Sequence, residues 1–329
     1  MYTAREIKLG IVLSFAWKTL VFFFLYASAL CAISYLSGHT LGVSFVPIGL
    51  IGTAVAFYVG FKNNSSYDRL WEARRIWGAI VNASRTFGAT TCTYIQSEGT
   101  GKGSVKAQLI HRHIAYVNAV RIQLRSKSVW NDPGATANAV VEEQHIPADQ
   151  SMPDMLNRFL PADEAAFYQT RKNPATHIMK AQAKQLDDEF RAGRINELFY
   201  FHMMNLVQEF YNQQGAAERI KNFPFPRQYA YFSKVFVWLF ILALPFGLIN
   251  EFAKLGDGLI FLAIPSYVLI AWVFHTMEIV GDTSENPFEN AINDVPMTSI
   301  CRTIEIDLRE MLNETSIPAP ITAVNNILM

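Results

Sequence analysis

Between Lys18 and Lys62 stand 43 residues without a Lys, Arg, Asp or Glu; only His39 interrupts them with a titratable group. A water-soluble fold does not keep charge out of so long a stretch, because much of any chain must meet solvent. Two membrane-spanning helices of about 20 residues each fit the length. The turn Ser37-Gly38-His39-Thr40-Leu41-Gly42 would join them, placing one span near 19–36 and the next near 43–61. Uncharged runs from Val235 to Asn250 and from Gly258 to Met277 predict two more, at about 232–250 and 258–277. A cleaved signal peptide is the rival for the first run, but signal cores extend over only about 7–15 apolar residues. Buried core helices are the rival for the last two, each near the lower length limit of a span. Pro245 and Pro265 decide nothing, since membrane helices tolerate proline where neighbours satisfy the freed backbone groups.

Composition agrees. Charged residues are 17% of the 329, against roughly 25% in soluble chains, and mean hydropathy is +0.14. Lys plus Arg and Asp plus Glu both number 28, which argues against a nucleic-acid binder. Cys31, Cys92 and Cys301 support neither a disulfide framework nor a CxxC metal site. Orientation follows from the basic residues. Lys62, Arg69, Arg74 and Arg75 follow the second span, and Arg219, Lys221 and Arg227 precede the third. The short links carry only Lys254. Residues 62–231 and both termini are therefore expected in the cytoplasm. The expected organisation is 1–61 with spans one and two, 62–231 cytoplasmic, 232–280 with spans three and four, and 281–329 cytoplasmic.

The 62–231 region reads as helical. Leu70, Ala73, Trp77, Ile80 and Ser84 recur at helical spacing, as do Val105, Leu109, Val117, Val120 and Leu124. Residues 128–153 read as a loop. Pro174 predicts the first turn of a helix running to about Arg191 and ended by Gly193. A further helix is expected from about Ile195 to Gln213, before Pro224 and Pro226 impose extended chain.

No catalytic constellation is visible. Glu98-Gly-Thr-Gly-Lys-Gly-Ser104 has Gln96 where a phosphate loop needs its first glycine, and Gly103 where it needs a hydroxyl. His111 and His113 are two apart, which puts them on different faces of a helix. Asp187-Asp188-Glu189 reads as a solvated face. An enzyme is not expected, nor a cofactor or resident metal.

The second span carries two stripes. Gly52, Ala56 and Gly60 form a small-residue stripe suited to close helix packing in lipid. Beside it lie Thr53, Phe57 and Phe61, which around an axis would stack as mostly apolar rings, the geometry of a dewetting gate. Ordinary packing against lipid and neighbouring helices is the plain alternative. The following Lys62, Asn63 and Asn64 could line a wet vestibule, Asn offering both donors and acceptors, or simply begin a polar helix at the interface.

At these residues the sequence resembles the bestrophin family, in its bacterial branch. The likeness rests on Gly60-Phe-Lys-Asn-Asn-Ser-Ser-Tyr-Asp-Arg-Leu-Trp-Glu-Ala-Arg-Arg-Ile-Trp-Gly78, Glu218-Arg-Ile-Lys-Asn-Phe-Pro-Phe-Pro226, Glu285-Asn-Pro-Phe288 and Ile304-Glu-Ile-Asp-Leu308. It covers nearly the whole chain. The resemblance implies an all-α membrane protein with four transmembrane helices per subunit and a large helical cytoplasmic region, assembled as a homopentamer around a central pore. It implies a channel for monovalent ions in the bacterial cytoplasmic membrane, with lipid and permeant ions as partners. Thr53, Phe57 and Phe61 match the family's pore neck, Thr53 departing from the usual aliphatic residue. Leu198, with Phe199 next, matches the cytoplasmic aperture. The animal members' acidic calcium clasp is replaced by Glu289-Asn-Ala-Ile-Asn-Asp294, a poor site for a cation that wants six to eight oxygens; Glu289 and Asp294 read as helix-start or interface residues. Anions such as chloride are the expected cargo. A sodium channel of the same architecture and a membrane-anchored signalling protein stay open.

Overall fold

The computed structural model describes residues 1–6, 9–38, 41–96, 103–126 and 151–329. The Gly-rich stretch up to Lys102, residues 128–150 of the expected loop 128–153, and His39-Thr40 of the first turn lie outside the described residues; the end of that loop is instead helical, Ser151 capping a helix that begins at Met152. Among the described residues ten α-helices follow one another: α1 (Leu9–Ser37), α2 (Phe45–Tyr94), α3 (Val105–Arg125), α4 (Met152–Phe159), α5 (Ala162–Gln169), α6 (Pro174–Arg191), α7 (Glu197–Asn222), α8 (Arg227–Ala253), α9 (Ala263–Thr283) and α10 (Met297–Met311). Among the described residues there is no strand, only isolated bridges from Ile327 to Tyr2 and to Val324. Among the described residues four helical stretches are long and apolar enough to cross a membrane: Ala16–Ser37, Phe45–Tyr94, Arg227–Ala253 and Gly258–Thr283.

The helix that holds the second span does not stop at Phe61. It runs on through Lys62-Asn-Asn-Ser-Ser66 to Tyr94 as one helix. Asn and Ser are mediocre helix formers, but extending an existing helix avoids the nucleation cost, and Pro47 sits in the first turn, where proline is tolerated. Hydroxyls beyond Phe61 bond back to their own helix, Ser84 Oγ donating to the Ile80 carbonyl at 2.6 Å and Thr90 Oγ1 to Thr86 at 2.7 Å. Helix α7 likewise runs past Gln213 to Asn222. Gly215 does not end it, because Gln214 is held by Thr176 (3.0 Å) and Glu218 (2.8 Å). Helix α6 ends as expected. Gly193 has φ +73°, its N–H reaches the Phe190 carbonyl, and the Arg194 N–H reaches that of Glu189. That is a Schellman closure, whose left-handed residue is most cheaply glycine.

The described chain divides into two compact units. One comprises Ala4–Asp68 and Phe225–Glu285. Its core packs Phe23, Ala27 and Cys31 of α1 with Val55 and Val59 of α2, Val237, Phe240, Ile241 and Leu244 of α8, and Tyr267 and Ala271 of α9. Gly52 leaves room for a neighbouring ring: a Cβ there would fall 2.6 Å from Phe240. The other unit comprises Met1–Thr3, Arg69–Pro224 and Asn286–Met329. Helix α3 is its centre and is buried on nearly every side, through Leu109, Ile110, Ile114, Tyr116, Val117, Val120 and Leu124. Helix α10 adds Cys301, Ile304 and Leu308. His113 is fully buried between the Phe87 and Phe210 rings and lies 2.9 Å from Ser84 Oγ. Burial pushes it down to about 3, so the ring is neutral. His111 instead meets Glu314 at 2.7 Å, so the two histidines serve different partners.

Candidate functional site

In the apolar half of α2, residues three and four apart share a face. Val55 and Val59 are buried, whereas Phe57 is 66% and Phe61 72% exposed. Thr53 is exposed with them. The three sit one above another over about 12 Å of helix. Thr53 Oγ1 donates to the Gly49 carbonyl at 3.0 Å, so its proton is spent on its own helix and its remaining lone pairs face outward.

The polar residues that follow separate. Of Lys62, Asn63 and Asn64 only Asn64 is exposed, with its amide 3.5 Å from Asp68 Oδ2. Lys62 lies about 100° round the helix from Phe61. Its side chain is 0% exposed, with Nζ 2.6 Å from Glu278 Oε1. Asn63 also turns inward, donating to the Met277 carbonyl at 2.9 Å. Lys62 and Asn63 therefore do not share the outward face of the residues before them. Sequence reasoning had no signal for this, since the partner carboxylate lies in another helix.

The small-residue stripe also divides. Gly52 is packed against Phe240, whereas nothing lies within 4 Å of a Cβ placed at Gly60; Ala56 is half-buried. In the first turn of α7, Leu198 is 72% exposed. Phe199 is not its equal, for it stacks on Tyr94 with ring planes 14° apart. Asn196 caps this helix by accepting from the Phe199 N–H at 3.1 Å, which sets Leu198 in the exposed first turn.

Among the described residues no group of His, Cys, Asp and Glu is arranged to hold a metal. Asp294 is buried, and its carboxylate accepts from the Ala291 N–H at 3.0 Å. Burial pushes it up to about 7 against the backbone N–H groups of Ala291 and Glu289. It closes a turn rather than starting α10, which begins at Met297. Glu289 takes Lys221 Nζ at 3.4 Å.

A chain of four long apolar helices, one carrying an outward apolar strip, belongs to the polytopic helical membrane proteins. The profile of the family described as Bacterial/Fungal Bestrophin protein matches residues 3–310. The chain is a member of the bestrophin family, a family of ion channels and not of enzymes. It is 28% identical over 313 residues to the voltage-dependent anion channel-forming protein YneE of Salmonella typhi, covering 94% of this chain and 91% of that one. To the protein of the same name from Escherichia coli K12 it is 27% identical over 315 residues, 95% and 91% of the two chains. A crystal structure of a bacterial bestrophin homolog from Klebsiella pneumoniae superimposes with TM-score 0.73 at 25% identity, covering 90% of this chain and 98% of that one. A point mutant of that homolog gives 0.75 at 23% identity, covering 90% and 99%.

Proposed function

We propose that the chain is the subunit of an ion channel, a homopentamer that passes monovalent anions such as chloride across the bacterial cytoplasmic membrane. Thr53, Phe57 and Phe61 line its neck, Leu198 its second constriction, and residues 62–231 and 281–329 lie on the cytoplasmic side. The observation that carries this reading is the outward strip of α2. Two phenylalanines with their faces unused inside the subunit, stacked on one helix edge, suit a shared axis. An ion crossing such rings must shed part of its hydration, so ring width and wetting govern passage. No cofactor takes part; lipid and the permeant ion are the partners.

Anion preference draws its support from the names of the curated relatives. The subunit itself offers little to fix the sign. Lys62, the cation next to the neck, is matched by Glu278. A second reading, preference for a monovalent cation such as sodium, is favoured by Asp68. Seven residues after Phe61, this exposed carboxylate returns to the same helix edge, and a ring of such carboxylates attracts cations.

The test is the reversal potential of the purified protein in a planar bilayer under a NaCl gradient. Reversal towards the chloride potential supports the anion reading. Reversal towards the sodium potential that collapses with Asp68→Asn establishes the second. No current from the wild type, and none from Phe57→Ala/Phe61→Ala, would leave a membrane-anchored scaffold.

A further inference from the structure

A lysine directly after the apolar half of a span is expensive unless it reaches water or finds a partner. Lys62 does not reach water. Its Nζ lies 2.6 Å from Glu278 Oε1 and 3.8 Å from Asp282 Oδ1. The other oxygen of Glu278 accepts from Ser233 Oγ at 2.5 Å. The three helices α2, α8 and α9 thus converge on one buried carboxylate. One residue on, Asn63 repeats the connection. Its amide donates to the Met277 carbonyl, and its Oδ1 lies where a side chain at residue 281 would begin, so that only glycine fits. Asn63 Oδ1 itself has no hydrogen-bond partner among the described residues.

These contacts sit beside the proposed neck. Lys62 adjoins Phe61, and on a helix the direction of one side chain fixes that of the next, about 100° away. Phe61 and Phe57 make no comparable polar contact of their own. We propose that Lys62, Glu278 and Ser233, seconded by Asn63 over Gly281, form a positioning clamp that sets the rotation of α2 about its axis and so aims Phe57 and Phe61. The clamp contributes no fixed charge to the conduit, because lysine and glutamate cancel. Removing Glu278 leaves the buried lysine only the exposed Asp282, 3.8 Å away, an unfavourable state for a buried charge, and turning α2 to carry Lys62 towards water relieves it. Phe61 then leaves its place on the exposed strip. The functional consequence rests on the channel reading; the rotational role does not.

The experiment uses the full-length protein in detergent. A Phe61→Cys reporter is labelled with a water-soluble maleimide, after subtracting the rate of the parent with its three native cysteines. Glu278→Gln is expected to change the reporter's labelling rate about tenfold, in the range of couplings between contacting residues. The charge-swapped Lys62→Glu/Glu278→Lys is expected to return it to within about twofold of the original. A purely stabilising ion pair would lower the melting temperature without moving the reporter. An unchanged rate in Glu278→Gln, or a rate equally altered in the swap, overturns the clamp. If Glu278→Gln does not fold, Gly281→Ala takes its place, since it displaces Asn63 without touching a charge; an unmoved reporter there also overturns the proposal. Bilayer current is read in parallel. A moved reporter with no current in any variant upholds the clamp and defeats the channel reading; current with an unmoved reporter does the reverse.

Discussion

Phe210 and Phe24 are the same side chain in two different solvents. Phe210, in α7, is fully buried, edge-on to Phe87 and Tyr116. Phe24, in α1, is half exposed, in a row with Phe22, Leu25 and Val21. The unit built around α3 puts most of its large apolar groups inside, with Leu198, Phe201 and Phe223 among the exceptions. The unit holding α1, α8, α9 and the start of α2 has an apolar core as well, yet leaves Leu36, Leu50, Leu239 and Leu269 outside. Water would not tolerate so much contiguous apolar surface on a monomer. The contrast teaches that exposure in the second unit is contact with another medium, lipid or a further subunit, and that the same substitution carries different consequences in the two.

The largest expected effect tests that contrast. Phe210→Ala should lower stability by about 3–5 kcal/mol, the usual loss for a buried phenylalanine. Phe24→Ala should cost less than about 1 kcal/mol in detergent, as exposed positions do. Thermal unfolding of the two variants side by side decides it, and equal losses would end the distinction between the units.

Acid tests the unit built around α3 next. Unfolded, His113 titrates near its ordinary 6.5; folded, burial holds it near 3. Between those values the unfolded chain binds a proton that the native one refuses, so stability falls as pH falls, by up to about 1.4 kcal/mol per unit. Asp294 acts with the opposite sign, because its raised value makes the native state hold a proton up to about pH 7. The difference between wild type and His113→Gln isolates the histidine. The gap should narrow or reverse as unfolding curves are taken from pH 7 to pH 4.5. A constant gap would mean that His113 protonates without unfolding the α3 core.

Glycines of one stripe give a smaller and sharper comparison. Gly52→Ala should destabilise by about 1–3 kcal/mol, because the added carbon meets the Phe240 ring. Gly60→Ala meets nothing within the subunit and should stabilise the helix by about 0.5–1 kcal/mol. If Gly60→Ala instead weakens the assembly on native mass measurement, that surface is where a neighbouring subunit packs.

This stripe also marks where sequence reading stops. Four spans were legible because charge is absent over long runs, and α6 because proline and glycine bracket it. The exposed edge through Thr53, Phe57 and Phe61 followed from spacing four apart. Gly52 and Gly60 share that same spacing, yet only one has a ring against it, and the ring belongs to α8. Lys62 after an apolar span reads as interfacial by every local rule. Its burial depends on Glu278, 216 residues along the chain. The continuous course of α2 past Phe61 was missed for a related reason, since Asn-Asn-Ser-Ser is a weak helix former judged alone and an unremarkable stretch inside a helix of 50 residues. Periodicity shows faces; it does not show what stands opposite them.

The smallest effect concerns Thr53. An aliphatic residue there would complete three apolar rings, and a threonine suggests a wetter outer one. Its hydroxyl, however, already donates to Gly49, as helical threonines commonly do. What it offers to a passing ion or water is an acceptor and a methyl group, not a proton. Thr53→Val keeps the shape and removes only that acceptor. Conductance should therefore change by less than about threefold, equivalent to under about 0.7 kcal/mol of barrier, whereas Phe57→Ala/Phe61→Ala should raise it well beyond that. A Thr53→Val channel that closes altogether would show that wetting of the outer ring, not the width of the phenylalanine rings, controls passage, and the neck would have to be redrawn around residue 53.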